Sequence, residues 1–324
     1  MGIFEQLFIK LLPLYFIIFL GYIAGKRLKV ARESIASFLI YIVVPVVYFK
    51  AIFEMKLTIV SFSYPIYLFL VGICLSTSFF YFGEKLFKNK EIAALLSLTS
   101  TLANTGYFGL PLLFVLYGES ILGTTVLVSF GLVLHEATLG FYLAAQGKYS
   151  PKQALTKTLK VPIIYSVILA FLCNYLYNHY FVNLPETVLK DTLELFIKNS
   201  LSMMNYFIGT LTVLGMSMIG LGLAKINHLK FNWRFISLSL FSKYIVYPSI
   251  FLIFYIINSK IHVFDNEVLK VIFYLSLVPI GANSITLATQ LNLDTDDASI
   301  VVIISTLISL LIIPFLASAQ LSFL

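Results

Sequence analysis

Ala103-Asn104-Thr105, inside the apolar run TLANTGYFGLP (101–111), returns in the second half of the chain as Ala282-Asn283-Ser284, inside LVPIGANSIT (277–286). Glycine and proline punctuate both runs. Proline lacks a backbone donor and clashes with the preceding turn, and glycine tolerates unwinding, so a helix cannot pass unbroken through either place. The surroundings are otherwise membrane-like, and hydrocarbon offers no partner for a freed N–H or C=O. Such groups are tolerated at that depth only when buried in protein or lining a cavity. The two elements predict paired helix interruptions near mid-bilayer, the arrangement around which secondary transporters build a binding site.

Composition makes the bilayer the solvent. Of 324 residues, 60% are hydrophobic and 11% charged, and the mean hydropathy is +0.95. That leaves too few charges to cover a soluble globule. About 20 apolar residues cross the hydrocarbon. Ten stretches qualify: 7–25, 34–53, 64–82, 92–116, 121–145, 161–180, 203–224, 235–257, 268–291 and 298–319. The 20 tyrosines and 30 phenylalanines suit lipid-facing and interfacial packing. The stretch 181–202 is the longest polar one and reads as an external turn plus an amphipathic surface helix, with Glu186, Asp191, Glu194 and Lys198 on its wet side.

The net charge of +7 is a matter of topology and does not mark a nucleic-acid footprint. Lys26, Arg27, Lys29 and Arg32 follow the first span, Lys85, Lys88 and Lys90 the third, Lys148, Lys152, Lys157 and Lys160 the fifth, and Lys225, Lys230 and Arg234 the seventh. By the positive-inside rule those alternate loops are cytoplasmic and both chain ends lie outside, as expected of a multi-pass protein of the plasma membrane. Asp294, Asp296 and Asp297 break the trend after the ninth span, where they can cap the start of the tenth helix. The first 25 residues lack a clear small-residue cleavage site and read as a span. Cys74 and Cys173 fall inside apolar spans with no partner at ligand spacing, so they read as buried core thiols and no metal site is expected.

The organisation is repetitive. Five spans (1–145) precede a basic connection (146–160), and five (161–324) follow, each set carrying its Ala-Asn-Thr/Ser element in its fourth member. An odd number of spans per half inverts the second relative to the first. The expected fold is therefore all-α and polytopic, with ten transmembrane helices in two inverted five-helix repeats that cross at broken helices 4 and 9.

Asn104 and Asn283 each carry amide donors and an acceptor without permanent charge, which suits a carboxylate that must also be released. Half-helix N-termini beside them would add N–H donors and positive dipole ends. The bland reading is that each asparagine only bridges the freed backbone. Thr105, Gly106, Gly281 and Ser284 join them as candidate substrate-binding positions, and Pro111 and Pro279 as the residues that shape the breaks. Three ionisable residues are expected within spans. Lys243 is a candidate for anion attraction or gating, with an ion pair or snorkelling as alternatives. His135 and Glu136 are neighbours on a helix, so they cannot face one partner. The histidine could carry a coupled proton or merely pack, and the glutamate could pair with Lys243.

The stretch NTGYFGLPLL, the element PIGANS and the run LATQLNLDTDDASIVVIISTLISLLIIP (287–314) together resemble the auxin efflux carrier family, over essentially the whole chain. Bacterial members are often described as malate, malonate or lactate permeases. The resemblance implies a fold like bile-acid symporters and sodium/proton antiporters: a scaffold domain and a transport domain that moves as an elevator, with an anionic substrate held at crossed broken helices. The long cytoplasmic loop of the plant carriers is absent here. The seventh span carries Gly209, Gly215, Gly220 and Gly222 where many relatives have a proline, and the third span lacks the acidic residue of the plant carriers.

No HExxH motif occurs, and every Asp lies in a loop or at a span end, which argues against an intramembrane protease and against a paired-aspartate antiporter. The expected function is secondary transport of a small organic anion, a mono- or dicarboxylate, without a bound cofactor and with coupling to H⁺ or Na⁺ left open. The expected partners are that anion and the lipid bilayer, with no nucleic acid and with a homodimer allowed. The alternative is a sodium-coupled symporter of an amphipathic anion, with Thr105, Ser284 and Thr286 forming a sodium cage; a channel or receptor ranks lower.

Overall fold

The structure, a computed structural model, describes residues 3–145, 162–224, 232–291, 293 and 295–320. Among these the backbone is helical, apart from one isolated antiparallel bridge between Ala103 and Ile280. The helices run α1 (Ile3–Arg27), α2 (Arg32–Phe53), α3 (Val60–Phe87), α4 (Lys90–Thr101), α5 (Thr105–Tyr117) and α6 (Leu122–Ala144). They continue with α7 (Pro162–Leu176), α8 (Val188–Ala224), α9 (Trp233–Ile261), α10 (Asn266–Leu277), α11 (Asn283–Gln290) and α12 (Thr295–Gln320). Seven of them, α1, α2, α3, α6, α8, α9 and α12, are long and apolar enough to cross a membrane. The fourth and ninth expected spans are interrupted, as α4 with α5 and α10 with α11. The sixth is a 15-residue helix continued by a π turn, Tyr177–Phe181.

Local chemistry sets the helix ends. Asn89 caps α4 by accepting from the N–H groups of Glu91 and Ile92 at 2.8 and 3.2 Å, and Asp265 caps α10 through Val268 N at 3.0 Å. Gly118 ends α5 at φ 83°, a conformation that strains any side chain. Contrary to expectation, Pro111 does not stop its helix, and neither do Pro45 and Pro248. Pro45, Pro111 and Pro248 are each the second residue after a π turn, Leu39–Val43, Thr105–Gly109 and Ser242–Val246 respectively. The wider turn absorbs the missing donor and the ring clash, and the helix continues.

The helices pack in two groups. Helix α1 lies along α8, and α2 packs on α7 and α8. Helix α3 packs on α4 and α6, while α9 touches α4, α10 and α12, and α10 touches α6. The groups meet where α1 touches α12, α2 touches α6, and α8 touches the first turn of α5. Large apolar side chains such as Phe16, Phe19, Tyr81, Leu252 and Phe315 stand exposed on the outer surface, as lipid requires.

Three expectations are corrected here. The helix expected to lie on the surface within 181–202 is no separate element: from Val188 it runs into the seventh span as one 37-residue helix, α8. Gly215 and Gly220 make close packing where a bend might be expected, while Gly209 has open space beside it. A Cβ on Gly220 would stand 2.0 Å from the Ile18 carbonyl oxygen, and one on Gly21 2.3 Å from that of Ser217, the small-residue contact by which membrane helices approach. The cysteines are not core thiols either: Cys74 is exposed and Cys173 half-buried, both on the outward sides of their helices. The ionisable residues inside spans also exceed three, since Lys10 and Lys50 fall within the first and second. The expected connection 146–160, with Lys148, Lys152, Lys157 and Lys160, lies outside the described residues, as do Lys225, Lys230 and Asp294.

The glycine contact gives a direct expectation. Valine at Gly220 overpacks against backbone that cannot yield, so stability should fall by about 3 kcal/mol. Thermal unfolding of the purified variant in detergent checks this, and an unchanged midpoint would contradict close α1–α8 packing.

Candidate functional site

The two interruptions lie against each other. Asn104 donates its N–H to the Pro279 carbonyl at 2.8 Å, and Gly281 donates to Leu102 O at 2.8 Å, so the broken strands pair as a minimal antiparallel ribbon around the Ala103–Ile280 bridge. Each run thus finds its missing partners in the other. Other freed groups are taken as well. Ala103 O accepts from Thr105 N at 2.8 Å and Asn104 O from Gly109 N at 2.9 Å. Gly281 O accepts from Ser284 N at 3.0 Å and from the Ser284 hydroxyl at 2.7 Å. Ile280 N donates to Ser305 Oγ at 3.0 Å, Ser309 Oγ donates to Leu277 O at 2.7 Å, and Ser242 Oγ to Ser100 O at 2.9 Å. These bonds go far toward pairing the buried backbone, as a membrane interior requires.

Just past the crossing, α5 begins after Asn104 and α11 begins at Asn283, so the positive N-terminal end of a half-helix stands beside each amide. Asn104 is buried at 5% exposure, and its side chain makes no capping bond to its own helix. Asn283 is exposed and donates its amide to Glu136 Oε2 at 3.2 Å. Thr105 and Ser284 are buried, Gly106 has open space where a Cβ would stand, and Gly281 has none, since a Cβ there would lie 3.2 Å from Ala103 O. Pro279 sits at the second break and contributes its carbonyl to the ribbon. Pro111 stands apart from the first break, inside α5 after its π turn.

The three ionisable candidates separate. Glu136 joins Asn283, and no bond ties it to Lys243, so the suggested pairing between them is not made. His135 is 1% exposed and turns to α3, where Nε2 meets Ser76 Oγ at 2.9 Å. Its ring fills a niche whose walls are Gly72 and Gly140. Lys243 is also 1% exposed, so it does not snorkel. Its ammonium lies 3.4 Å from Leu275 O and 4.1 Å from the centre of the Tyr247 ring.

Sequence reasoning missed two groups. Arg32, counted as a topology marker, is half-buried at the start of α2, its guanidinium 3.8 Å from where a Cβ on Gly222 of α8 would stand. The second group is Lys50, 2% exposed in α2, whose ammonium pairs with Glu54 one turn on and with Glu119, at 3.4 Å, from the turn between α5 and α6. It forms the floor of a cavity of about 620 Å³ lined also by Asp191, Glu194 and Lys198 of α8, and no crossing residue lines this cavity. A lone lysine in an apolar stretch, with glutamate four residues later, was the available signal. Removing both carboxylates with Glu54→Gln and Glu119→Gln leaves a buried ammonium unpaired. The expected loss is about 2 kcal/mol by thermal unfolding, while Lys50→Met in the same background should recover most of it.

Two family models match the chain. One, described as Membrane transport protein, covers residues 6–151; the other, the Sodium Bile acid symporter family, covers residues 207–324. No curated protein matches it. With its apolar helices, these matches define a multi-pass membrane transport protein. The first part of the chain is thus similar to membrane transport proteins and the last part to bile-acid symporters, in keeping with the resemblance to the bile-acid and auxin transporters.

Proposed function

We propose that the protein is a secondary transporter of a small organic anion, with a mono- or dicarboxylate favoured, and that the substrate is held at the crossing by Asn104, Asn283 and the half-helix N-termini beside them. The observation that carries this reading is the paired ribbon, which holds two amide side chains and two positive helix ends at one place. The half-buried guanidinium of Arg32, at the start of α2, adds a positive charge that favours an anion. Gly106, with open space beside it, offers backbone to the substrate, while Thr105, Gly281 and Ser284 shape the crossing around it.

The ten stretches act as two inverted five-span repeats. The residue ranges of the two family matches support this, since one falls before α7 and the other begins within α8. The group of α1, α2, α7 and α8 serves as scaffold, and the remaining helices move against it as an elevator that carries the crossing. Both chain ends lie outside the plasma membrane, with the basic loops in the cytoplasm. A sodium-coupled carrier of amphipathic anions is the weaker reading, although one matching family is of that kind. Of the expected cage, Thr105 and Ser284 are buried and Thr286 is exposed.

The test is uptake of labelled malate, malonate and lactate into proteoliposomes with and without imposed gradients. Saturable accumulation of one acid is the expected result. Rapid, non-saturating flux would instead indicate a channel, and no flux of any acid would reject the carboxylate reading.

A further inference from the structure

We propose that Lys50 is a bolt on the outer side of the carrier: its bond to Glu119 holds the moving helices in the state seen here, and it stays with Glu54 alone when they move. The inference rests on the reading of α1, α2, α7 and α8 as scaffold and the other helices as the moving group. Three side-chain bonds cross the boundary between the groups. Tyr15 of α1 donates its hydroxyl to Leu310 O of α12 at 2.7 Å. The other two both reach the C-terminal end of α5. Lys10 of α1 donates to Leu116 O at 3.0 Å, and Lys50 of α2 pairs with Glu119, just past that end, at 3.4 Å. Such a helix end carries partial negative charge and carbonyls without an intrahelical donor. Helix α5 begins beside Asn104, so its length puts the two lysine contacts about 20 Å from the crossing.

Lys50 has an acceptor on each side of the boundary. Glu54 lies one turn on in its own helix, and Glu119 belongs to the turn that joins α5 to α6. The lysine is buried, whereas the side chains of Glu54 and Glu119 are 42% and 49% exposed. Parting from Glu119 therefore leaves that carboxylate hydrated and the ammonium still paired, which avoids the large cost of a lone buried charge. Glu54 does not travel with Glu119, because Asn174 of α7 fixes the end of α2. Its amide donates to Ile52 O, Phe53 O and Met55 O at 3.3, 2.8 and 2.9 Å. The moving side is seated at the same place. A Cβ on Gly123 of α6 would stand 2.8 Å from Ala51 O and 2.9 Å from Met55 Cβ, so α6 rests on the backbone of α2 beside the lysine. The cavity floored by Lys50 is lined by no crossing residue, while Asn283 at the crossing is exposed. The closed bolt separates that outer cavity from the site.

The test uses the full chain carrying Cys74→Ser, Cys173→Ser and Gly106→Cys, a position with open space for a side chain. It follows the rate at which a membrane-impermeant maleimide, added outside intact cells, labels position 106. Glu119→Gln removes the partner lost on opening and should raise that rate about fivefold, while Glu54→Gln removes the partner that the open state relies on and should lower it. Opposite signs are the expected result, since a cluster that only holds the fold together would move both variants the same way. Equal changes in the two, or no change in either, would overturn the inference. Should Glu119→Gln fail to fold, as judged by size exclusion and thermal unfolding, Glu119→Asp, which draws the carboxylate back from Lys50, takes its place with the same expected sign. Failure of the moving-group reading is seen separately, by joining Tyr15→Cys to Leu310→Cys with a short reducible thiol cross-linker. The link should block uptake of labelled malate, malonate and lactate into proteoliposomes until it is reduced, and unimpaired uptake by the linked chain would reject the motion and the bolt with it.

Discussion

Alanine at Asn104 and Asn283 together is expected to abolish saturable carboxylate uptake while the protein stays folded. Each amide would give a carboxylate one hydrogen bond to a charged group, worth about 1.5–3 kcal/mol. Losing one should therefore cost about ten- to a hundredfold in transport efficiency. The two positions are not equivalent. The Asn104 side chain caps nothing in its own helix, so its replacement tests substrate contact cleanly. Asn283 also holds Glu136 Oε2, so Asn283→Ala leaves that carboxylate without its amide. Pairing it with Glu136→Gln separates the two effects: uptake still lost in the double variant points to the missing amide, and uptake restored points to the stranded carboxylate. The measurement is initial rate against substrate concentration in proteoliposomes, with thermal unfolding as the folding check.

Valine at Gly281 should give the next largest effect, by a different route. A Cβ there would stand 3.2 Å from Ala103 O and 3.3 Å from Ala103 C, and the β-branch adds further bulk against backbone. The two broken strands must separate, and with them go the bonds from Asn104 N to Pro279 O and from Gly281 N to Leu102 O. Stranding those groups in a dry interior should lower stability by about 2–3 kcal/mol and abolish uptake. Gly106→Ala is the contrasting variant. Open space surrounds its Cβ position, so its thermal midpoint should stay near that of wild type. Its uptake should fall only if substrate approaches that backbone.

Much of this was legible in the sequence because glycine, proline and asparagine in an apolar run leave few outcomes. The repeated Ala-Asn-Thr/Ser elements mark the places where the helices open, and the two openings do lie against each other. Local spacing could not show that they pair with each other, because the bonds between Asn104 and Pro279 and between Gly281 and Leu102 join distant parts of the chain. Pro111 misled for a physical reason: a π turn absorbs its ring, so the helix opens before the turn and continues through the proline. Glycines in α8 read equally well as a bend or as a contact, and only the neighbouring helix α1 decides for contact at Gly220. Lys50 and Arg32 were passed over because a basic residue near a span end is ordinarily solvated. Glu54, four residues on, was a signal for Lys50, but its second partner, Glu119, comes from elsewhere in the chain.

Equilibrium binding of labelled malate, malonate and lactate to the purified protein, compared between wild type and the Asn104→Ala, Asn283→Ala double variant, tests the crossing as the substrate site most directly. The expected result is saturable binding of one of these acids to wild type that weakens by about a hundredfold or more in the double variant. Equal affinity in the two folded proteins would contradict it and reduce both asparagines to scaffolding of the crossing.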